Sequence, residues 1–508
     1  MDKNSKRIAK NTIYLYIRML FLMFISFFTT RIVLEKLGAH DYGIYNVVSS
    51  IAISFSFFSS SLTNASQRFL AVAIGKNDID EGTKVMNQHL IVYGIICIII
   101  ILISELIGTW FISEKLNFSQ DKLWVVQWVF RLSIISVIIG LISIVFNSMI
   151  IAHEDMKIYS YVSIFDGIMK LLIVYLLGIM PYEHLLVYAL LMTLITFLSQ
   201  LFLFIYCIKR YPECRFSWSW DIKLIKKTFS FISWNVLGSI SATICDQGIS
   251  ILSNMFFGPI INAASGIATQ VNGAIFRLST NFLISLQPQM VKSYVQKEND
   301  YLRTLFFNSS RFSLYFLWIF VCPVFYGSDD ILRFWLVDIP EWTNSFVRWA
   351  LIISLIAILK QPIWMIIIAS GKLKKYIIYS NIIMILLFPL VYILLKLGYP
   401  PVCIYMSSFI INVLCVVVAL YVLNKFYLSF SLIEYLEQVI KPFLLVLFPS
   451  IASAILISSH LDYNIIHLFI QCLLIFIICI VSIYCIGLSA NEKIIILNGL
   501  RKKFYHKI

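Results

Sequence analysis

Long apolar runs recur from one end of this 508-residue chain to the other, and they constrain its fold more than any other feature. Each run is long enough for a helix to cross a hydrocarbon core of about 30 Å. Strands of a transmembrane barrel are about ten residues long and alternate in polarity, whereas these runs are longer and apolar on all sides. Only 13% of the residues are charged, about half of what a soluble domain carries. The sequence therefore predicts an all-α polytopic membrane protein.

We predict about 14 transmembrane helices joined by short loops. The predicted spans are 11–35, 44–72, 86–112, 123–151, 160–180, 184–207, 228–256, 262–291, 303–326, 344–369, 375–396, 401–424, 440–459 and 465–487. The longest loop, from Cys207 to Lys227, is too short to form a domain. We expect the first span to persist as a helix, because it exceeds the apolar core of a signal peptide and no small-residue cleavage site follows it.

The distribution of basic residues between alternate loops predicts the orientation of the chain. The N-terminal segment and every second loop carry 27 Lys and Arg residues, and the opposite set carries 5. Because positively charged loops stay in the cytoplasm, both termini are predicted to be cytoplasmic, which requires an even number of spans. The net charge of +14 is then mostly a topology signal beside anionic lipid, and we expect no nucleic-acid partner.

The remaining basic residues lie inside the predicted spans. Arg348 is close enough to a span end to reach the headgroups. The other seven are Arg18, Arg31, Arg131, Lys170, Arg277, Arg311 and Lys360, and we predict that they contribute to a substrate cavity. A charge at the bilayer centre costs about 2.5–3.5 kcal/mol, so such residues usually face a wet cavity on a transport path. Their surplus over buried acids predicts an anionic substrate, and phosphate is the obvious candidate.

The buried acids allow a second, purely structural interpretation of some of these cations. Asp166 lies four residues before Lys170, a spacing at which the two side chains can pair on one helix. Glu105 can likewise pair with Arg131 on the next helix. Asp166 and Asp246 are also candidates for binding a coupling ion, and Asp246 can alternatively pair with a buried arginine.

An internal repeat divides the first twelve predicted spans into two sets of six, and spans 13 and 14 fall outside it. "AHEDMKIY" (152–159) and "ASGKLKKY" (369–376) share Ala, Lys and Tyr at a constant offset of 217 residues. An even number of helices per repeat preserves topology, so the repeats are predicted to be parallel, with the substrate path between them. We predict an N-terminal six-helix lobe (1–210), a C-terminal six-helix lobe (211–425), and a segment with helices 13 and 14 and a cytoplasmic tail (426–508).

Two segments near the N-terminus resemble a known family. "LEKLGAHDYGIYNVVSSI" follows the first span and "SLTNASQRFLAVAIGKND" closes the second. Both are similar to the bacterial polysaccharide flippases of the Wzx type, within the multidrug/oligosaccharidyl-lipid/polysaccharide (MOP) superfamily, which also contains the MATE drug exporters. Gly38 and Gly43 in the first segment are predicted to allow a tight turn between helices.

The resemblance implies a function and a set of partners. It implies that the chain carries undecaprenyl-diphosphate-linked oligosaccharide, a repeat unit of O-antigen, capsule or exopolysaccharide, across the bacterial cytoplasmic membrane. The partners would then be this lipid-linked substrate, membrane lipids and a coupling Na⁺ or H⁺, and also a polysaccharide polymerase and a chain-length regulator. The diphosphate of such a substrate agrees with the separately inferred surplus of buried cations.

Motifs for catalysis are largely absent from the sequence. There is no GxxxxGK[ST] phosphate loop, so the energy source is predicted to be an ion gradient. The ten cysteines include no CxxC pair and are interpreted as apolar filler. His153, Glu154 and Asp155 in "AHEDMK" are predicted to lie in a solvated cytoplasmic turn and not in a metal site. We therefore expect no cofactor, no metal site and no enzymatic activity.

Two other functional classes remain open from the sequence. A cationic drug exporter of the same superfamily should hold more acids than bases in its spans, and this chain holds fewer. An O-antigen polymerase or ligase usually has a large periplasmic loop with catalytic charges. The longest predicted outer loop here, from Gly327 to Thr343, is too short to resemble one.

The predicted orientation can be tested with reporter fusions. Phosphatase fused at Ser328 should be active, because the reporter needs export, and phosphatase fused at Asn491 should be inactive. Green fluorescent protein at the same two sites serves as the inverse control, since it matures in the cytoplasm. Phosphatase activity at Asn491 alone would contradict the predicted topology.

Overall fold

The structure is a computed structural model of the whole chain. It describes residues 3–55, 57–75, 78–116, 122–153, 155–177, 183–216, 229, 245, 247–284, 286, 289–290, 293–294, 296–370, 374–460, 465–490 and 492–494. The described residues are almost entirely helical and include no β-strand. The predicted all-α class is confirmed.

The chain forms two compact units. The first comprises residues 1–266 with 336–341, and the second comprises residues 267–335 with 342–508. Helices of the first unit are α1 (Lys3–Ser54), α2 (Phe57–Gly75), α3 (Ile79–Ile103), α4 (Thr109–Lys115), α5 (Leu123–Ala152), α6 (Met156–Leu177) and α7 (His184–Arg210). A π-helical turn, Ser104–Gly108, joins α3 to α4. The predicted lobe boundaries at residues 210 and 425 remain predictions.

The boundary between the units falls within α8 (Pro259–Ile284). The second unit continues with α9 (Asn299–Tyr326), α10 (Ser328–Trp335), α11 (Thr343–Ala357), α12 (Lys360–Ser370), α13 (Lys374–Ile385), α14 (Leu387–Lys396), α15 (Val402–Phe426), α16 (Leu432–Tyr435), α17 (Lys441–His460) and α18 (Ile465–Ser482). Two further π-helical turns, Leu436–Ile440 and Ile483–Gly487, adjoin the last helices.

Ten helical segments of the described chain are long and apolar enough to cross a membrane. They are Ile79–Glu114, Leu123–Ala152, Lys157–Leu177, His184–Arg210, Asn299–Tyr326, Thr343–Ser370, Lys374–Lys396, Val402–Phe426, Leu432–Ser458 and Ile466–Gly487. These segments coincide with predicted spans 3–6 and 9–14, so the chain is a multi-pass membrane protein. Predicted spans 1, 2 and 8 fall on α1, α2 and α8, and span 7 lies largely outside the described residues. The count of fourteen remains a prediction.

The two glycines that were predicted to form a turn have different roles. Gly38 has φ 74° and interrupts α1, which separates predicted spans 1 and 2 as expected. Gly43 is helical, so its predicted role in the turn is wrong. Instead, the absence of a side chain at Gly43 allows the backbone of Pro259 to approach closely. A Cβ at residue 43 would lie 1.8 Å from the carbonyl oxygen of Pro259. Gly38 thus permits a positive φ, and Gly43 permits a close approach between two backbones.

The core of the first unit lies around α5. Val126, Val129, Phe130, Val145 and Met149 on this helix are fully or almost fully buried. They belong to a continuous apolar cluster that includes residues of α1, α2, α3 and α7. By contrast, many large apolar side chains on α3 and the adjoining π turn are exposed. Such exposure is expected for a surface in contact with lipid chains.

The segment that follows α7 is fixed to the first unit. The Tyr211 ring stacks on the His153 ring, with centroids 4.2 Å apart and planes at 6°. Tyr206 donates a hydrogen bond to Asp155 Oδ2 at 2.8 Å, and Asn87 Nδ2 donates to the Arg215 carbonyl at 2.8 Å. Burial raises the pKa of the Tyr211 phenol, and the nearby Asp155 carboxylate adds to the rise, so the phenol stays neutral. We call residues 211–216 the anchored segment.

The anchored segment corrects the interpretation of the "AHEDMK" turn. This turn was predicted to be solvated, but the His153 side chain is only 24% exposed and lies 3.5 Å from the carboxylate of Glu213. Glu213 is itself buried, and its Cγ would lie 2.9 Å from a Cβ at Gly82. The expectation failed because the partner residues lie more than fifty positions further along the chain.

The last helices pack against α9 within the second unit. Arg303 of α9 forms an ion pair with Glu434, and Trp318 Nε1 donates to Ser450 Oγ at 2.8 Å. Tyr315 donates to the carbonyl of Gly487 at 2.9 Å. These contacts make predicted helices 13 and 14 part of the second unit.

Replacing Gly43 by alanine should destabilise the first unit. The added methyl group would overlap the backbone of Pro259, and overpacking of this kind typically costs about 1–3 kcal/mol. Thermal unfolding of the purified, detergent-solubilised protein should show a lower Tm for Gly43→Ala than for the wild type. Gly94→Ala on α3 is the matched control, because a Cβ there meets no atom within 4 Å. Equal Tm values for the two variants would contradict the close contact.

Candidate functional site

A polar cavity lies inside the first unit, among α1, α2, α5, α6 and α7. Its volume is about 540 Å³. Amide and hydroxyl side chains form much of its wall, including those of Thr63, Gln67, Asn147, Ser163, Thr196 and Gln200. Apolar cores normally exclude such groups, so a polar cavity within membrane helices implies water or a polar ligand. We call it the first-unit cavity.

Helical spacing explains how the sequence builds this wall. Residues that are three, four and seven positions apart share one face of a helix. Ile144, Asn147 and Ile151 follow this spacing on α5, and Thr196, Ser199, Gln200 and Leu203 follow it on α7. On α6 the same face carries Tyr159, Val162, Ser163, Asp166 and Lys170. Single polar residues in apolar runs therefore converge on one space.

An ion pair occupies one side of the cavity. Lys170 Nζ lies 2.7 Å from Asp166 Oδ2, and Ser199 Oγ donates to Asp166 Oδ1 at 3.2 Å. The side chains of Lys170 and Asp166 are 36% and 27% exposed, so both are accessible to a ligand in the cavity. Asp166 is near the middle of the 22-residue α6, away from both helix ends. Because the two charges cancel, the pair adds no net charge to the cavity.

Two amides face each other across the same space. Asn147 Nδ2 lies 3.2 Å from the Ser143 carbonyl and 3.5 Å from Gln200 Oε1. An amide offers both donors and an acceptor, so this pair can exchange its weak mutual contact for hydrogen bonds to a ligand. Neither amide was predicted to belong to a site, because the prediction rested on charged residues alone. The sequence does mark these residues, since each is an amide inside an otherwise apolar span.

Arg131 lies outside this cavity, in a second ion pair. Its Nε donates to Glu105 Oε1 at 2.9 Å and its Nη2 donates to Oε2 at 3.2 Å. The guanidinium also lies over the Trp128 ring, 5.3 Å from the centroid. Both partners are more than one-third exposed, and Glu105 lies on the π-helical turn after α3. The geometry matches the structural alternative that the sequence left open for this pair.

The other predicted cations with described side chains lie on α1, α8, α9 and α12. Arg311 on α9 forms an ion pair with Glu492, beyond the last span, and contacts Asn308 Oδ1 at 3.2 Å. Lys360 begins α12 and donates to Asn412 Oδ1 on α15 at 2.8 Å. Arg277 on α8 has an exposed side chain, and Arg31 on α1 is partly buried.

Arg18 and Asp246 are not placed by the structure. The backbone of Arg18 is helical, but its side chain lies outside the described residues, as does Asp246. Of the nine predicted site residues, Asp166 and Lys170 line the first-unit cavity. That part includes no cluster of three or more His, Cys, Asp or Glu residues with the geometry of a metal site.

Lys360 adjoins a break in a transmembrane segment. Helices α11 and α12 belong to one span but are separated at Ile358 and Leu359. Pro362 supplies the physical reason, because it has no N–H to donate to the carbonyl of residue 358. A similar break at Leu386 separates α13 from α14, three residues before Pro389. Both breaks lie near the middle of their spans.

Solved membrane transporters share the fold of this chain. An inward-facing multidrug resistance MATE family transporter of the MOP superfamily is 13% identical, with a TM-score of 0.68, over 81% of this chain and 96% of that one. The lipid II flippase MurJ in an inward closed conformation is 14% identical, with a TM-score of 0.65, over 93% and 98%. A MOP superfamily transporter from Pyrococcus furiosus is 13% identical, with a TM-score of 0.61, over 81% and 94%. At these identities the likeness concerns the fold.

Sequence comparison identifies the family. No curated protein matches the chain. Residues 8–296 match the family model described as polysaccharide biosynthesis protein, and this segment is more than half of the chain. The predicted resemblance to a polysaccharide family is confirmed by this match, and the fold is similar to that of the solved MOP superfamily transporter and of MurJ. The chain therefore belongs to the polysaccharide biosynthesis protein family.

Proposed function

We propose that this protein is a flippase for undecaprenyl-diphosphate-linked oligosaccharide in the bacterial cytoplasmic membrane. One observation carries the proposal: a chain of the polysaccharide biosynthesis family has the fold of a lipid II flippase over 93% of its length. The substrate headgroup is too polar to cross hydrocarbon unaided, because even one isolated charge there costs several kcal/mol. The protein lowers this barrier by alternating access, and both of its termini are cytoplasmic.

The charged residues suggest where the diphosphate binds. Arg131, Lys170 and Arg311 each pair with a carboxylate, which reduces their attraction for a phosphate. Arg277 has an exposed side chain on α8, and its planar guanidinium is suited to bidentate phosphate contact. Arg277 is therefore the preferred diphosphate ligand of the proposal, with Arg18, Arg31 and Lys360 as further members of the sequence-predicted set.

The first-unit cavity supplies the proposed coupling site. Asp166 balances Lys170, so a proton or Na⁺ that arrives at the carboxylate weakens its hold on the ammonium group. Such a ligand shifts a conformational equilibrium only by its differential affinity for the two states. The ion differs in its affinity for the two states because Asp166 can hold Lys170 or the external cation. Asp246, the second predicted coupling acid, remains part of the proposal.

Loss of the protein should trap its substrate on the cytoplasmic leaflet. In spheroplasts of a deletion strain, lipid-linked oligosaccharide should accumulate and resist a membrane-impermeant glycosidase, because the headgroup cannot cross the bilayer unaided. Complementation with the wild-type chain should restore access to the glycosidase. Accumulation on the outer leaflet would contradict a flippase and would favour the polymerase or ligase alternative.

Replacing Asp166 by asparagine should abolish ion-dependent export. The variant keeps the size of the side chain but leaves no carboxylate to exchange Lys170 for a proton or Na⁺. In proteoliposomes with an imposed pH or Na⁺ gradient, the gradient-driven part of flipping should fall at least tenfold. Glu105→Gln is the matched control, because it breaks the Glu105–Arg131 ion pair of the same unit without touching the cavity. If both variants respond to the gradient like the wild type, the coupling role of Asp166 is wrong.

A further inference from the structure

We propose that the first-unit cavity binds the uncharged oligosaccharide part of the transported lipid and not its diphosphate. This inference rests on the proposed function, since it assigns one portion of the proposed substrate to one cavity. It departs from the sequence-based expectation that Lys170 contributes to a diphosphate site. Charge, hydrogen-bonding capacity and size support it.

The charge of the cavity disfavours a diphosphate. Lys170 is its basic lining residue, and Asp166 Oδ2 lies 2.7 Å from the ammonium nitrogen. A diphosphate that entered would meet the Asp166 carboxylate together with the lysine, and the like charges of carboxylate and diphosphate repel each other. A sugar with hydroxyl groups meets no such penalty. Both the carboxylate and the ammonium group can hydrogen-bond to hydroxyls without a change of net charge.

The hydrogen-bonding groups of the cavity match those of a sugar. Every sugar hydroxyl both donates and accepts, and the side-chain amides of Gln67, Asn147 and Gln200 do the same. Hydroxyls of Thr63, Ser163 and Thr196 add further groups with both capacities. They come from four different helices, so a ligand can be contacted from several directions. Such a wall would be costly in a membrane protein if it served only to pack the interior.

The size and the apolar part of the wall also fit. Small-molecule sites usually measure about 300–1,000 Å³, and this cavity measures about 540 Å³. Leu22, Ile144, Val162 and Leu203 line it between the polar groups, and the Tyr159 ring is also part of the wall. Sugar rings carry C–H faces as well as hydroxyls, so an alternation of apolar and polar wall suits both.

The test compares two lipids that differ only by the sugar. One is the lipid-linked oligosaccharide extracted from a strain that lacks the protein, and the other is synthetic undecaprenyl diphosphate. Binding to the purified full-length protein in nanodiscs should be at least tenfold tighter for the oligosaccharide-bearing lipid. Asn147→Ala and Gln200→Ala should each weaken binding of that lipid about three- to tenfold, as expected for a lost hydrogen bond, and leave undecaprenyl diphosphate unaffected.

Two further variants keep the test interpretable. Thr196→Val keeps the shape of the side chain and removes a cavity hydroxyl, so it repeats the test if an amide variant fails to fold. Gln127→Ala is the matched control, because this half-buried glutamine on α5 lies outside the cavity, and it should bind both lipids like the wild type.

The outcomes separate this inference from the proposed function. Equal affinity of the wild type for the two lipids would overturn the sugar assignment and leave the flippase proposal standing. The sugar assignment would also be overturned if the cavity variants lost affinity equally for both lipids, or if all cavity variants bound both lipids like the wild type. Failure of the wild type to bind either lipid would overturn the proposed function, and the sugar assignment with it.

Discussion

The hydrocarbon interior of a bilayer offers no partner to a charge or to a backbone amide, and this constraint shapes the protein at every level. It restricts a spanning backbone to helices or closed barrels, which satisfy all of their own backbone hydrogen bonds, and the described residues of this chain are almost entirely helical. It also requires that ionised side chains at depth find partners. Among the predicted intramembrane cations, Lys170 pairs with Asp166, Arg131 with Glu105, and Arg311 with Glu492. Removing one member of such a pair leaves the other charge without a partner. This costs more free energy than the intact pair contributes to stability.

These pairs show what the sequence could and could not predict. The Asp166–Lys170 pair follows from the i,i+4 spacing, and the Glu105–Arg131 pair follows from the proximity of consecutive helices. The partner of Arg311 was missed because Glu492 lies 181 positions away and was counted as part of a cytoplasmic tail. Ten long apolar runs predicted ten helices with useful bounds. The breaks at Leu359 and Leu386 were missed, because hydropathy does not register the hydrogen bond that a proline removes.

Two arginines at the predicted repeat offset have similar surroundings. Arg131 and Arg348 are separated by 217 residues, and each pairs with a carboxylate while lying over an aromatic ring. Arg131 contacts Glu105 and Trp128, whereas Arg348 contacts Asp329 and Phe325. None of these four partners is related to its counterpart by the same offset. The internal repeat itself stays a prediction from the sequence.

The anchored segment limits where the chain can go after α7. From the sequence, Cys207 to Lys227 is the longest loop and joins the two predicted lobes. Contacts with His153, Asp155 and Asn87 hold the first part of that loop against the first unit. Residues held in this way have fewer conformations available than a free chain of the same length. The stacking of Tyr211 on His153 thus fixes the point from which the rest of the loop continues.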